Sequence, residues 1–225
     1  MLPGAHIQRA TDLAGKRLVT PQLVGTQDVA LRYFLQQHGL QTTDQGGTVQ
    51  LNPTENPTIV TLFKTEKIDS AWVPEPWASR LLVDGNGQVF LNERSLWPDG
   101  KFATTYIIVS KQFLDQHPDL VSKFLQAHVA TAQYIESHPA SAKSIVNREI
   151  KRLTGKALLS SELDQAFTHL IITYDPLAST LVQAAKRTYA LGFLGHSKPD
   201  LRGIYALGPL NQVLSAQGLA TVAGP

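Results

Sequence analysis

The sequence predicts an α/β fold with a largely parallel sheet, followed by a helix-rich C-terminal half. In the first hundred residues, short runs of β-forming residues alternate with helical patterns at the spacing of βα units. After the turn-rich segment 97–100, apolar residues recur mainly with the 3.6-residue period of helices. A hydrophobic content of 43% is sufficient to build a buried core.

The first predicted strand spans residues 17–20, and the helix after it begins with Thr26 as the N-cap. Asp28 lies in the first turn of this helix, where the helix dipole favours a negative charge. Gly39 supplies the left-handed residue that ends the helix. The segment therefore predicts a strand, a loop and a helix in close succession.

Further elements follow from the same two periodicities. Strands are predicted at 48–51, 68–73, 88–91 and 104–109. Helices are predicted at 59–65 and 77–83, from Pro118 through Ile135, at 140–154, 161–171 and 176–191, and within the tail 200–219. Because the second half has too little strand to form a sheet of its own, its helices need another surface to cover.

Composition excludes several classes of function. The formal net charge is +2, with no basic run, so the chain as a whole has no strong field for nucleic acid or acidic membranes. The absence of cysteine excludes disulfides, zinc–thiolate sites and cysteine nucleophiles. No apolar run reaches the length of a membrane span, and the N-terminus has no signal-peptide core. Motifs typical of hydrolases, metalloproteases and nucleotide-binding loops are missing, so we expect no enzyme, no cofactor and no metal.

Two segments are better suited to binding. The loop from Thr20 to Gln27 follows a strand and opens a helix, so free backbone N–H groups near Thr26 and Gln27 could hold an anion. An ordinary capped helix is the alternative interpretation, and local sequence favours it. In the second segment, Pro74 and Pro76 restrict the backbone of Glu75, at the carboxyl end of a predicted strand where open α/β sheets bind ligands. Glu75 either faces a ligand there or caps the next helix, and the local sequence does not decide between these roles.

Several blocks of sequence resemble one known family. They are DLAGKRLVTPQLVGTQDVALRYFL, IDSAWVPEPWASRLL, SLWPDGKFATTYIIVS with FLDQHPDLVSKFLQAH, and DLRGIYALGPLNQVL, in this order from residue 12 to residue 214. They resemble the substrate-binding proteins of ABC importers for aliphatic sulfonates, nitrate and taurine. The resemblance implies a two-lobed periplasmic-binding-protein-like (type II) fold that closes on its ligand, and a periplasmic location.

On that template, residues 12–99 correspond to lobe two and residues 100–225 to the returning part of lobe one. The opening βαβ portion of lobe one and the export signal are absent from this chain, which implies an N-terminally truncated member of the family. The helices after Thr104 would then expose apolar faces unless they repack or find a partner. We therefore expect this chain alone to bind sulfonate weakly or not at all.

The resemblance also implies a ligand and partners. The ligand is a small organic anion such as an aliphatic sulfonate, held in the cleft between the lobes, and the protein partner is an ABC importer permease. Neither nucleic acid binding nor direct membrane insertion is expected. The ligand-side candidates are Thr20, Gln22, Thr26, Gln27 and Glu75, with Trp72 and Trp77 as apolar walls. Because a carboxylate repels a sulfonate, Glu75 would contact an amine or hydroxyl at the other end of the ligand.

Two alternatives use a similar fold. A LysR-type effector domain also senses small anions, but no helix-turn-helix precedes the fold in this sequence. A thiamin-precursor enzyme or binding protein is the second alternative, and the sequence has no histidine cluster suited to its iron chemistry. Neighbouring permease and ATPase genes would favour the importer, whereas thiamin genes would favour the second alternative.

Overall fold

A computed structural model describes all residues, Met1–Pro225, and divides into two compact units. The first unit consists of residues 1–100, 158–170 and 184–198, and the second of residues 101–157, 171–183 and 199–225. The correspondence of residues 12–99 and 100–225 with two lobes stays a prediction. No helix is both long enough and apolar enough to cross a membrane.

The three strands all lie in the first unit. They are β1 (Arg17–Thr20), β2 (Gln50–Pro53) and β3 (Ser70–Ala71). The helices are α1 (Thr26–Gln37), α2 (Asn56–Lys64), α3 (Trp77–Val83), α4 (Lys111–Gln116), α5 (Pro118–Ser137), α6 (Pro139–Thr154), α7 (Ser160–His169), α8 (Ala178–Ala190) and α9 (Leu207–Ala216).

The sheet is parallel throughout, with β1 between β2 and β3. Successive side chains of β1 point to opposite faces, as the pleat of a strand requires. Leu18 packs into one apolar cluster with Leu31 and Leu35 of α1, whereas Val19 packs into a second cluster with Phe63 of α2. Both faces of the central strand are covered by helices, and the predicted α/β class with a parallel sheet is confirmed.

The second unit is built from helices. Helices α5 and α9 pack around Val129, Leu210, Val213 and Leu214, which are almost completely buried. These residues follow the 3.6-residue spacing of amphipathic helices, and the sequence therefore predicted α5 and the neighbouring helices close to their observed positions.

Two predicted strands are wrong. Residues 88–91 form no strand, and Gln88 instead exchanges two hydrogen bonds with Met1, at 2.8 and 2.9 Å. Residues 104–109 are also not a strand, although their sequence favours one. The second unit offers them no neighbouring strand, and β-forming residues become a strand only when another strand pairs with their backbone.

Boundaries differ at three further positions. The strand predicted at 68–73 shortens to Ser70–Ala71, and the strand predicted at 48–51 moves to Gln50–Pro53. The N-cap of α1 is Gly25 rather than Thr26. Thr26 is the first helical residue, and its hydroxyl donates to the Gln27 side chain at 2.9 Å instead of capping the helix.

Candidate functional site

The candidate site begins at the edge of the sheet where β1 and β3 end. Because these strands are parallel, their carboxyl ends lie at the same edge, with Val19 opposite Ala71. The backbone N–H of Trp72 donates to the carbonyl of Val19 at 3.0 Å, which keeps the two chains together beyond β3. The loops that follow, 20–25 and 72–76, therefore leave the sheet side by side.

The loop after β1 presents the N-terminus of α1. The N–H of Gly25 donates to the Gln22 carbonyl at 3.1 Å, and the first helical bond joins the Val29 N–H to the Gly25 carbonyl at 3.0 Å. The backbone N–H groups of residues 26–28 have no acceptor within the protein. Such groups carry the partial positive charge of the helix dipole and are suited to hold an anion.

Asp28 fixes this loop from inside the helix. Its carboxylate accepts hydrogen bonds from the Thr20 hydroxyl at 3.0 Å, from the Val24 N–H at 2.9 Å and from Arg32 Nε at 3.1 Å. Arg32 also donates to Thr42 and is 3.0 Å from an Asp44 oxygen. The Asp28 and Arg32 side chains are only 0% and 2% exposed. A buried, internally neutralised ion pair thus sets the position of residues 20–24.

Within the predicted ligand-side set, the 20–27 loop divides into buried and exposed groups. Thr20 is completely buried, and its hydroxyl is committed to Asp28. Gln22 and Thr26 are exposed, and Gln27 is half-buried. The groups that remain accessible to a ligand at this position are therefore the amide of Gln22, the side chains of Thr26 and Gln27, and the backbone N–H groups of residues 26 and 27, because Asp28 is completely buried.

Glu75 has intramolecular partners for both carboxylate oxygens. One oxygen accepts the Ser79 N–H of α3 at 3.0 Å, and the other lies 2.6 Å from Nδ1 of His169 in α7. The Glu75 side chain is 9% exposed. The helix-capping role left open by the sequence is therefore present, and a ligand group at Glu75 would have to compete with one of these contacts.

Trp72 and Trp77 are both fixed by contacts with other side chains of the first unit. The Trp72 indole N–H donates to Glu93 at 2.6 Å, and its ring lies 5.6 Å from the Phe34 ring. Trp77 packs on the second apolar cluster, with the Arg80 guanidinium 5.7 Å from its ring centre. Burial raises the pKa of Glu93 above its usual value, and the indole hydrogen bonds partly oppose this effect.

The structure also contains residues that the sequence did not single out for the site. Asp28 and Arg32 are an i, i+4 pair on α1, which is a recognisable helix signal. His169 contacts Glu75 across 94 positions of sequence, and nothing local in the chain indicates that contact. The ligand role of the seven predicted residues stays a prediction.

Two other kinds of site were considered. A depression of about 260 Å³ lies at the C-terminal end of α1, lined by residues that include Gln36 and Gly39, and contains none of the predicted site residues. The structure contains no group of three or more His, Asp or Glu side chains that could hold a metal ion. The edge of the sheet with the N-terminus of α1 stays the predicted position for a small ligand.

Known proteins share sequence and fold with this chain. The NMT1-like family model matches residues 4–150. The taurine-binding periplasmic protein of Escherichia coli (strain K12) is 26% identical over 151 residues, which cover 66% of this chain and 45% of that protein. The chain thus spans less than half of the length of this curated relative.

A solved structure shows the fold. The alkanesulfonate-binding protein SsuA from Xanthomonas axonopodis pv. citri, bound to MOPS, matches with a TM-score of 0.63 at 16% identity. The match covers 85% of this chain and 63% of that protein. The fold class implied by the sequence resemblance is therefore confirmed. The chain belongs to the NMT1-like family, and it is similar in sequence to a taurine-binding periplasmic protein and in fold to an alkanesulfonate-binding protein.

Proposed function

We propose that this chain is the solute-binding component of an ABC importer and binds a small organic anion of the aliphatic sulfonate class. The proposal includes an extracytoplasmic location, a permease as the protein partner, and no catalytic reaction. The N-terminus of α1 would contact the anionic head, at the carboxyl edge of the sheet. The observation that supports this position most strongly is the pair of accessible backbone N–H groups at residues 26 and 27 that have no acceptor in the protein.

The chemistry of a sulfonate fits these groups. A sulfonate head has three acceptor oxygens and stays ionised at neutral pH, so it needs hydrogen-bond donors and positive potential but no base. The backbone N–H groups supply both, and the exposed Gln22 amide is an additional donor. Binding to uncharged donors also avoids the cost of desolvating a lysine or arginine side chain.

The ion pair beneath the loop removes an obstacle to anion binding. An uncompensated carboxylate at Asp28 would repel a sulfonate at the same helix end. Arg32, 3.1 Å away, neutralises it, and the pair is buried. The potential that the ligand meets is thus set mainly by the helix dipole and the free N–H groups.

A proline substitution at Thr26 provides a sharp test. Proline is tolerated at the first helical position and lacks an N–H, so Thr26→Pro removes one proposed donor while preserving α1. Gly25 has φ −69° and ψ 168°, an extended conformation that is compatible with a following proline. Thr26→Ala is the matched control, because it removes the hydroxyl and keeps the N–H.

Isothermal titration calorimetry with ethanesulfonate and taurine, at concentrations high enough to follow the weak binding expected of this chain, measures the effect. We expect Thr26→Pro to weaken binding by about 10- to 100-fold, which corresponds to the loss of one hydrogen bond to a charged group. Thr26→Ala should weaken binding much less, and ethylammonium should not bind. Equal affinities for Thr26→Pro and the unsubstituted chain, with unchanged melting temperatures, would place the anion elsewhere.

A further inference from the structure

A second surface of the chain, on α6 in the second unit, has an unusual distribution of charge. Between residues 139 and 157 the sequence contains five basic residues and one acidic residue, an excess of four positive charges. The entire chain has a net charge of only +2. A nearly neutral total therefore conceals a locally basic helix.

Four of these cations form what we name the α6 cationic surface, namely Arg148, Lys151, Arg152 and Lys156. All four are exposed. Positions 148, 151 and 152 have the i, i+3 and i+4 spacing that places side chains on one side of a helix. Arg152 pairs with Glu149 at 2.7 Å, and the other three form no ion pair. Most of the positive charge on this surface is therefore not neutralised.

One apolar side chain is exposed at the C-terminal end of α6, where it continues the side of the helix that carries Val146 and Ile150. Leu153 is 71% exposed, the highest exposed fraction among the large apolar residues of α6. Nearer the start of the helix this inner side is covered, since Ala142 is buried and Val146 and Ile150 are half-buried. The helix thus has an apolar inner side, a cationic outer side and one exposed leucine at its C-terminal end.

We propose that the α6 cationic surface is a docking site for an anionic lipid bilayer. Charge complementarity favours an anionic partner, and a row of cations on one side of a surface helix suits the phosphate groups of a bilayer surface. Lysine and arginine can lay their aliphatic stems along that surface while the charged ends contact phosphates. The α6 surface contains no aromatic side chain for stacking on bases, which makes a nucleic acid the poorer match. The binding is peripheral, because no helix can span the bilayer.

The expected strength is modest. Each lysine or arginine near an anionic bilayer strengthens partitioning by about fivefold. Four cations therefore give binding that is measurable at low ionic strength and is lost as salt screens the surface. The proposal does not depend on the ligand site, since the cationic surface lies in the second unit and residues 20–28 lie in the first.

Vesicle co-sedimentation of the full chain tests the proposal. We expect binding to vesicles of phosphatidylglycerol and phosphatidylcholine, loss of binding at high salt, and no binding to phosphatidylcholine alone. The double variant Arg148→Glu/Lys151→Glu should reduce partitioning by about 25-fold or more. Leu153→Ser, on the other side of α6, should leave partitioning unchanged.

The matched control is Lys111→Glu/Lys123→Glu. These two cations are exposed on α4 and α5, and reversing them changes the net charge by the same amount. Partitioning reduced as strongly by the control pair as by the α6 pair would overturn the proposal, since net charge alone would then be responsible. Tighter binding of a DNA oligonucleotide than of anionic vesicles would overturn it as well. Melting temperatures establish that each variant is folded.

Discussion

Replacing Asp28 by alanine tests the buried network that positions the candidate site. The substitution removes an acceptor of three hydrogen bonds, from Thr20, Val24 and Arg32. It also leaves the Arg32 guanidinium, with a side chain 2% exposed, without its buried counter-ion. The remaining acidic partner of Arg32 is Asp44, whose side chain is 59% exposed.

The burial of Asp28 and Arg32 determines how much stability the substitution removes. Removing one partner of a buried ion pair costs about 3–5 kcal/mol, because the other charge stays buried without compensation. Asp44 compensates part of the Arg32 charge, so we expect about 3 kcal/mol for Asp28→Ala. A domain is typically stable by about 5–15 kcal/mol, so this loss should shift urea unfolding strongly. The substitution should also loosen residues 20–24 and weaken anion binding.

Asp200→Ala is the control. Asp200 and Arg202 approach to 2.6 Å, closer than Asp28 and Arg32, but their side chains are 59% and 91% exposed. Exposed pairs contribute about 0–1 kcal/mol, so Asp200→Ala should barely change the unfolding midpoint. Circular dichroism during urea titration measures both variants. An Asp28→Ala variant no less stable than Asp200→Ala would refute the argument that burial makes this ion pair important.

Three further predictions concern stability. Gly47→Ala should lower the free energy of unfolding by about 1–3 kcal/mol, because the added Cβ would overlap a backbone carbonyl. Gly208→Ala, in α9 where no atom lies near the added Cβ, should leave the melting temperature unchanged or raise it. Hydrogen bonding to Arg17 lowers the pKa of Asp69. The ionised pair therefore stabilises the fold above about pH 4, and this stabilisation is lost as the pH falls through the lowered pKa. The free energy of unfolding of Asp69→Asn should therefore be about 1 kcal/mol lower than that of the unsubstituted chain at neutral pH. Unfolding measured as a function of pH should show this difference in stability disappear at acidic pH. Glu75→Gln should lower stability by about 1 kcal/mol through weaker capping of α3, and calorimetry should show little change in affinity for taurine.

Local signals predicted much of the fold. Both β1 and α3 have their predicted bounds, because a β-forming run before Pro21 and a helical run after Pro76 are marked by the sequence itself. The segment 104–109 has the same β-forming character but no strand beside it. Strand formation depends on a pairing partner, and a single sequence read locally does not contain that information.

The candidate site was predicted in part for a similar reason. The sequence placed both candidate segments after strands, and the parallel topology brings the ends of β1 and β3 to one edge. The sequence did not indicate that the Thr20 hydroxyl would be committed to Asp28 or that Glu75 would contact His169. These hydrogen bonds depend on tertiary contacts, and they determine which polar groups remain accessible to a ligand.

A heteronuclear NMR titration with taurine and ethanesulfonate tests the central claim most directly. The backbone N–H groups of residues 26 and 27 are the proposed anion donors, so their resonances and that of the adjoining Asp28 should shift most and saturate together. The N–H resonances of Gln36 and Gly39, at the other end of α1, are the internal reference and should shift little. Largest shifts at residues 26–28 with sulfonates, and none with ethylammonium, are the predicted result. Saturating shifts confined to other segments would contradict the assignment of the anion site to the N-terminus of α1.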